Sequence, residues 1–276
     1  MTARIIKAAL ISAFCSVMAL PAFAEQQKQQ PIEESSQDVD DTFFAIKFSA
    51  GKYHFESPLN FKEDVEFYFL PTWTFYYKDL FFIENTKMGL NLYIDADETS
   101  TTIVDLVTRH NFDGLYYHMD DDFVSFVDPM LPPFNHPSTD AHLSYLGGVE
   151  VKHYYDKNII TFGVFSDISN VHHGEEAEVS WQRVLFNKGT DFKLSAEVGA
   201  LYKSDQVLEY YYGSPLDGDN INYYSRIDAA YELSDGLYLV ANFKYERLSS
   251  KIISSQATDK KELQSGFIGI SWLTNW

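Results

Sequence analysis

ELQSGFIGISWLTNW, residues 262–276, is the stretch whose reading decides the fold. Taken alternately, one side runs Ile268, Ile270, Trp272, Thr274, Trp276. The other runs Ser265, Phe267, Gly269, Ser271, Leu273, Asn275. Strict alternation marks a strand with two unlike faces. Two tryptophans sit on the apolar face near its end. That suits the closing strand of a transmembrane barrel, which pairs with the first strand and sits in an aromatic girdle. It also suits the last strand of a soluble β-sandwich, so the rest of the chain has to decide.

The same alternation recurs upstream. In 192–203 Phe192, Leu194, Ala196, Val198, Ala200 and Tyr202 oppose Lys193, Ser195, Glu197 and Lys203. In 221–232 Ile221, Tyr223, Ile227, Ala229 and Tyr231 oppose Asn222, Arg226, Asp228 and Glu232. In 237–248 Leu237, Leu239, Ala241, Phe243 and Tyr245 oppose Asn242, Lys244 and Glu246. Short turns are expected at Lys78-Asp79, Asn111 to Gly114, Asp156 to Asn158, Asn187 to Thr190 and Ser234 to Gly236. Longer polar links are expected at 55–64, 95–100, 120–140, 169–175, 204–220 and 249–261. Short and long connections alternate, as in an up-and-down membrane barrel with short periplasmic turns and longer outer loops. The pattern predicts an all-β antiparallel barrel of about twelve strands near 43–54, 65–77, 80–94, 101–110, 115–124, 142–155, 159–168, 176–186, 191–203, 221–233, 237–248 and 262–275. An even number puts both chain ends on the periplasmic side. Past the leader, no stretch reaches the ~18 apolar residues of a membrane helix. A membrane fold must therefore be a closed barrel, because lipid satisfies no open backbone edge.

Met1–Ala24 reads as a secretory signal peptide: Arg4 and Lys7, then an apolar run, then Ala22-Phe23-Ala24 as a cleavage site. Residues 25–41 (EQQKQQPIEESSQDVDD) read as a disordered periplasmic tail, and 42–276 as the barrel. The only cysteine, Cys15, falls in the leader, so the exported chain is expected to hold no disulfide. Removing the leader takes away two positive charges and no negative ones, so the net −19 becomes −21. Such acidity excludes nucleic-acid binding through a basic surface. The 19 tyrosines and 22 phenylalanines favour strands and interface belts over helices.

From Tyr145 onward the chain resembles the MipA/OmpV family of outer-membrane proteins. The matching segments are GVFSDISNVHHGEEAEVSW (163–181) and VGALYKSDQVLEYYYG (198–213), with FLPTWTFYYKDLFFIENTKMGLNL (69–92) fitting more loosely. The chain departs from the family pattern at Ser214-Pro215-Leu216, at Ser254 to Thr258 and in an insertion near 119–140. The resemblance implies a non-enzymatic scaffold or interaction protein of the Gram-negative outer membrane, set in lipid and lipopolysaccharide. It implies a link to murein synthesis, through a lytic transglycosylase and a penicillin-binding protein, or to cell-surface adhesion. A narrow outer-membrane channel is the alternative, and an outer-membrane lipase a further one.

The lipase reading rests on His142 and Ser144, on one face of a strand, although the orienting group that such a pair needs is not evident. His172-His173-Gly174-Glu175-Glu176 reads as an exposed turn, since two neighbours in a turn seldom chelate one ion and zinc wants three or four convergent ligands. Acidic groups gather in the expected outer links: Asp95, Asp97 and Glu98; Asp120 to Asp122; Asp205, Asp217 and Asp219. They read as solvated loops, with cations bridging lipopolysaccharide phosphates as the other reading. Lys193, Glu197, Arg226, Asp228, Lys244 and Glu246 should face the lumen and interlock to narrow or plug it. No catalytic residue, cofactor site or metal site is expected.

Overall fold

The computed structural model describes residues 42–78, 80–118, 141–188, 192–213 and 217–275. The expected leader and tail lie outside the described residues, as do Trp276 and Asp120 to Asp122. Twelve antiparallel strands close into one barrel. They are β1 (Thr42–Phe55), β2 (Val65–Tyr77), β3 (Phe81–Glu84), β4 (Lys87–Ala96), β5 (Ser100–His110), β6 (Tyr145–Tyr155), β7 (Asn158–Asp167), β8 (Glu175–Lys188), β9 (Phe192–Lys203), β10 (Ile221–Ser234), β11 (Leu237–Arg247) and β12 (Glu262–Asn275). Among the described residues three short helices stand in the links: α1 (Phe112–His118), α2 (Asp205–Tyr212) and α3 (Ser250–Ser254).

The last strand closes the wall as its alternation requires. Leu273 lies opposite Lys47, and Phe267 opposite Tyr53. Gly51 faces Gly269 across this seam, where a Cβ on Gly51 would lie 2.2 Å from the Ile268 carbonyl oxygen. The glycine pair leaves room for the Phe267 ring to stack on Tyr53, centroids 4.0 Å apart.

The two faces of the wall decide the solvent. Ile268 and Trp272 are 62% and 53% exposed, whereas Phe267 and Ser271 are 3% and 1% exposed. Ile160, Phe162 and Val164 are likewise exposed on β7, Val198 on β9, Ile227 on β10 and Phe243 on β11. Inside lie Ser49, Thr72, Glu150, Gln182, Ser195, Asn222 and Asp228. Water would penalise each such exposed side chain by about 1.5–3 kcal/mol relative to burial. A wall that is apolar outside and polar inside suits lipid around it.

The strand count agrees with the sequence reading, but two of the strands behind it do not. The expected strand 80–94 is a hairpin, β3–β4, turning at Asn85-Thr86. Asn85 takes a left-handed φ of 60°, and its side-chain oxygen accepts from the Trp73 N–H at 2.9 Å. Asparagine tolerates that conformation, and the apolar residues on both sides hid the turn. The expected strand 115–124 is replaced over its described part by α1. Asn111 caps that helix, its Oδ1 accepting from Gly114 N–H at 3.3 Å.

These two corrections shift the links as well. The 97–99 connection joins the short turns at the rim where β1 begins and β12 ends. Asp97 holds it tight, and Thr99 and Ser100 N–H donation draws its carboxyl down to about 2. The expected turn at Asn111 to Gly114 instead opens a long link at the other rim. Because β3 is so short, it pairs only with Thr74 to Tyr77. Trp73 turns its N–H and C=O toward β3. Pro71, two residues earlier, turns the same way, onto the stretch of β2 that β3 does not reach. A missing N–H costs no ladder bond there.

Candidate functional site

The interior holds ion pairs, some of them between strands that are not neighbours. Arg109 of β5 reaches Glu176 at 3.0 Å and Glu178 at 2.7 Å, both on β8. Its guanidinium also stacks 3.9 Å from the Phe165 ring centroid. Lys87 of β4 meets Glu150 of β6 at 2.5 Å. Arg226 of β10 bridges Glu197 at 2.8 Å and Asp228 at 2.9 Å. Lys244 meets Glu246 at 2.7 Å, and Tyr224 donates to Glu178 and Glu197. Most of these groups are largely buried, so each charge depends on its partner to offset desolvation. Five of the six expected lumen charges, Glu197, Arg226, Asp228, Lys244 and Glu246, fall in this network. Lys193 lies half-buried and takes no part in it.

Sequence reasoning missed Lys87, Arg109, Asp113, Glu150, Glu176 and Glu178, and left Lys203, placed on the polar face of 192–203, out of the expected lumen charges. The period-2 pair Glu176 and Glu178 opposite Ala177 and Val179 was a usable signal. Lys87 was obscured by the misread segment 80–94 and Asp113 by the expected turn at Asn111 to Gly114, whereas Arg109 lies in a strand that was read correctly.

Above this network the links build a second, apolar core. α1 follows β5, α2 follows β9 and α3 follows β11, so all three lie at the long-link rim. Leu59, Tyr117, Val207, Leu208, Tyr211, Tyr212, Leu248, Ile252 and Leu263 are buried together there. Val207, Leu208, Tyr211 and Tyr212 form one face of α2 at helical spacing. Ser249 caps α3 by accepting from Ile252 N–H at 3.4 Å. Asp113 joins the two layers. It takes Lys203 at 2.5 Å from the barrel wall and Tyr212 Oη at 2.8 Å from the helical cap. Tyr117 donates its hydroxyl to the Tyr211 carbonyl, tying α1 to α2. A cavity of about 280 Å³ remains below, lined by Arg109, Glu150, Glu176, Lys203, Arg226 and other lumen charges.

Ser144 pairs with a histidine, but not with His142. Its Oγ lies 2.9 Å from Nε2 of His172, and Asp167 stands 3.9 Å from Nδ1 of that ring. The residue types are those of a serine hydrolase, while the hydrogen bonds run the other way. Gly174 N–H donates to His172 Nδ1 at 2.9 Å, so Nδ1 carries no proton. The proton is then on Nε2, which donates to Ser144. A base for the serine needs the opposite tautomer. Burial also pushes the His172 imidazole below its ordinary value, against the pull of Asp167. Asp167 is occupied by the N–H groups of Ser169, His172 and His173. This trio fastens the β7–β8 link to β6. The expected exposed turn from His172 to Glu176 is corrected: His173, with a left-handed φ of 57°, and Glu175 are exposed, while His172, Gly174 and Glu176 are buried and β8 already begins at Glu175.

The acidic link residues are engaged locally. Asp205 meets Lys251 at 2.5 Å and accepts from Asn220. Asp219 accepts from the Ser250 hydroxyl and Ile221 N–H.

The family model described as MltA-interacting protein MipA matches residues 51–274. The chain belongs to this family. It is an outer-membrane β-barrel, with the lipid-facing and polar faces already described. No curated protein matches the sequence significantly. Among solved structures it is similar to the COG4313 outer membrane channel from Pseudomonas putida F1, at 8% identity over 90% of this chain and 99% of that one, TM-score 0.41. It is similar to the NanC porin at 10% identity over 84% and 98%, TM-score 0.39. It is also similar to Acinetobacter baumannii OccAB2 at 11% identity over 87% of this chain, spanning 66% of that one, TM-score 0.39.

Proposed function

We propose that this MipA-family barrel is a non-enzymatic, non-conducting scaffold of the outer membrane. The observation that carries the reading is the interior itself: ion pairs tie β5 to β8 and β4 to β6 beneath a cap of packed helices. A solute path would need those pairs to part, and each parting strands a buried charge. The reversed Ser144–His172 polarity argues against hydrolysis at the only serine–histidine pair among the described side-chain bonds.

The family's name points to a lytic transglycosylase as partner, and the resemblance adds a penicillin-binding protein; both belong to the proposal. So do adhesion as the second role for the surface, lipopolysaccharide as the lipid neighbour, cleavage after Ala24, a disordered tail over 25–41 and periplasmic chain ends. On this reading the short-turn rim and the tail face the murein machinery.

Two experiments test it. Purified full-length protein in planar bilayers should give no discrete conductance steps; steady single-channel steps would favour the narrow-channel reading. Crosslinked envelopes pulled down on this protein should be enriched in murein-cleaving and murein-synthesising enzymes. Recovery of neither class above a control barrel would overturn the scaffold role.

A further inference from the structure

We propose that His54, Glu56 and Asp64 form a binding site for one divalent transition-metal ion of the zinc class at the long-link rim. One ligand atom from each, an imidazole nitrogen and two carboxylate oxygens, lies within 4.8 Å of the other two. The three residues flank a single connection: His54 is the penultimate residue of β1, Glu56 follows that strand, and Asp64 precedes β2. Sequence reading passed over them because seven residues separate Glu56 from Asp64. Only the pairing of Phe55 with Val65 brings the two ends of that link together.

The scaffold under the three ligands is fixed before any ion arrives. Glu56 N–H donates to the Gln264 carbonyl, and one Glu56 oxygen, Oε2, accepts from Gln264 N–H at 2.8 Å. Asp64 Oδ1 accepts from Ser57 N–H at 3.0 Å and from Lys260 at 2.7 Å. Asn60 holds the middle of the link through the carbonyl groups of Gln256 and Ala257. Each carboxylate is thus oriented through one of its oxygens. Such outer partners set the direction of a metal ligand. Glu66 contacts the His54 ring at Nδ1, 3.5 Å away, and can orient it in the same way.

The donor set chooses the ion. One imidazole with two carboxylates suits zinc and its neighbours, whereas calcium and magnesium favour all-oxygen shells. Three protein ligands leave at least one position open for water or an exogenous oxygen donor. Lys52 and Lys260 at the edge moderate the local negative charge.

The test uses full-length protein in detergent, treated with a chelator and then titrated with zinc, cobalt(II) or calcium by calorimetry. The expected result is one zinc bound per chain, with calcium at least tenfold weaker. Cobalt should give the visible d–d bands of a four- or five-coordinate site. His54→Ala and Asp64→Asn should each weaken zinc at least tenfold while leaving the heat-modifiable gel shift of the folded barrel unchanged. His172→Ala should bind zinc like the parent. Absence of zinc binding, calcium binding as tightly as zinc, or zinc binding indifferent to His54→Ala would each overturn the proposal.

Discussion

The lumen and the helical cap lie in contact, yet they are held by opposite means. In the lumen many of the buried groups are charged and held in ion pairs, as with Arg226 between Glu197 and Asp228. In the cap the buried groups are aliphatic and aromatic, and polar atoms appear mainly where Asp113 and the tyrosine hydroxyls tie the layers. The difference follows from what lies outside each. The wall turns one apolar face to lipid, so alternation sends most of the polar side chains inward, beside smaller apolar clusters such as Tyr53 with Phe267. The links beyond the wall meet no lipid and can hide apolar groups in the way of a soluble protein. One chain therefore contains an inverted fold and an ordinary one, joined at Asp113.

Deleting Leu273–Trp276 should have the largest effect, because it removes the support common to both regions. The pairs Leu273 with Lys47, Thr274 with Ile46 and Asn275 with Ala45 vanish, and the edge of β1 opens toward lipid. The truncated chain should be degraded in the periplasm. Normal amounts of folded truncated protein in the outer-membrane fraction would contradict the closing role of β12.

Arg226→Met separates the two regions next. It leaves Asp228, fully buried, and Glu197 without their shared cation. Breaking a buried pair this way costs about 3–5 kcal/mol, read as a lower denaturant midpoint for the whole barrel. Adding Asp228→Asn should recover part of that loss. A double variant no more stable than the single would mean that Arg226 matters through packing rather than charge.

Leu208→Ala strikes the cap instead. Leu208 is fully buried, and such truncations cost about 2–5 kcal/mol. Here the loss should stay local, as faster amide exchange in 205–212 and 250–254 with the barrel midpoint nearly unmoved. Ser249→Ala, which removes only the α3 cap, should give the same pattern at about 0.5–2 kcal/mol. Should either variant lower the midpoint as far as Arg226→Met does, cap and lumen would be one cooperative unit and the contrast would fall.

The same contrast explains what the sequence disclosed. In β9 to β12 each strand is long and its faces differ in polarity, so period, facing and most of the lumen charges there are legible. Between Tyr77 and His118 the local signals mislead. Asn85-Thr86 is a two-residue turn inside an apolar run, and Leu115-Tyr116-Tyr117, after what reads as a turn at Asn111 to Gly114, has the composition of a strand while Asn111 caps a helix. The cap was invisible for a different reason. Its core collects residues from the β1–β2, β5–β6, β9–β10 and β11–β12 links, and no period in any one link announces a partner in another. The Ser144–His172 pair shares that property, lying twenty-eight positions apart in sequence.

Cysteine labelling disturbs the molecule least and tests the two rims directly. Cys15, the only native cysteine, lies in the expected leader, so introduced thiols should be read without background. Gly218 in the β9–β10 link is a poor host: its φ is 122°, and a Cβ there would lie 2.4 Å from Ser250 Oγ. Asp217, exposed and adjacent, serves instead. Asp235 in the β10–β11 turn is also exposed and lies one strand away, at the opposite rim. With the long links outward, an impermeant maleimide on intact cells should label Asp217→Cys and miss Asp235→Cys until the outer membrane is permeabilised. Glu98→Cys carries the sharper comparison. If Leu80 to Ile94 were one strand, residue 98 would stand at the long-link rim and label with Asp217→Cys. Because Asn85 turns the chain back, residue 98 stands at the short-turn rim and should behave like Asp235→Cys. Labelling of Glu98→Cys in intact cells, with Asp235→Cys protected, would restore the single strand and remove the β3–β4 hairpin from the fold.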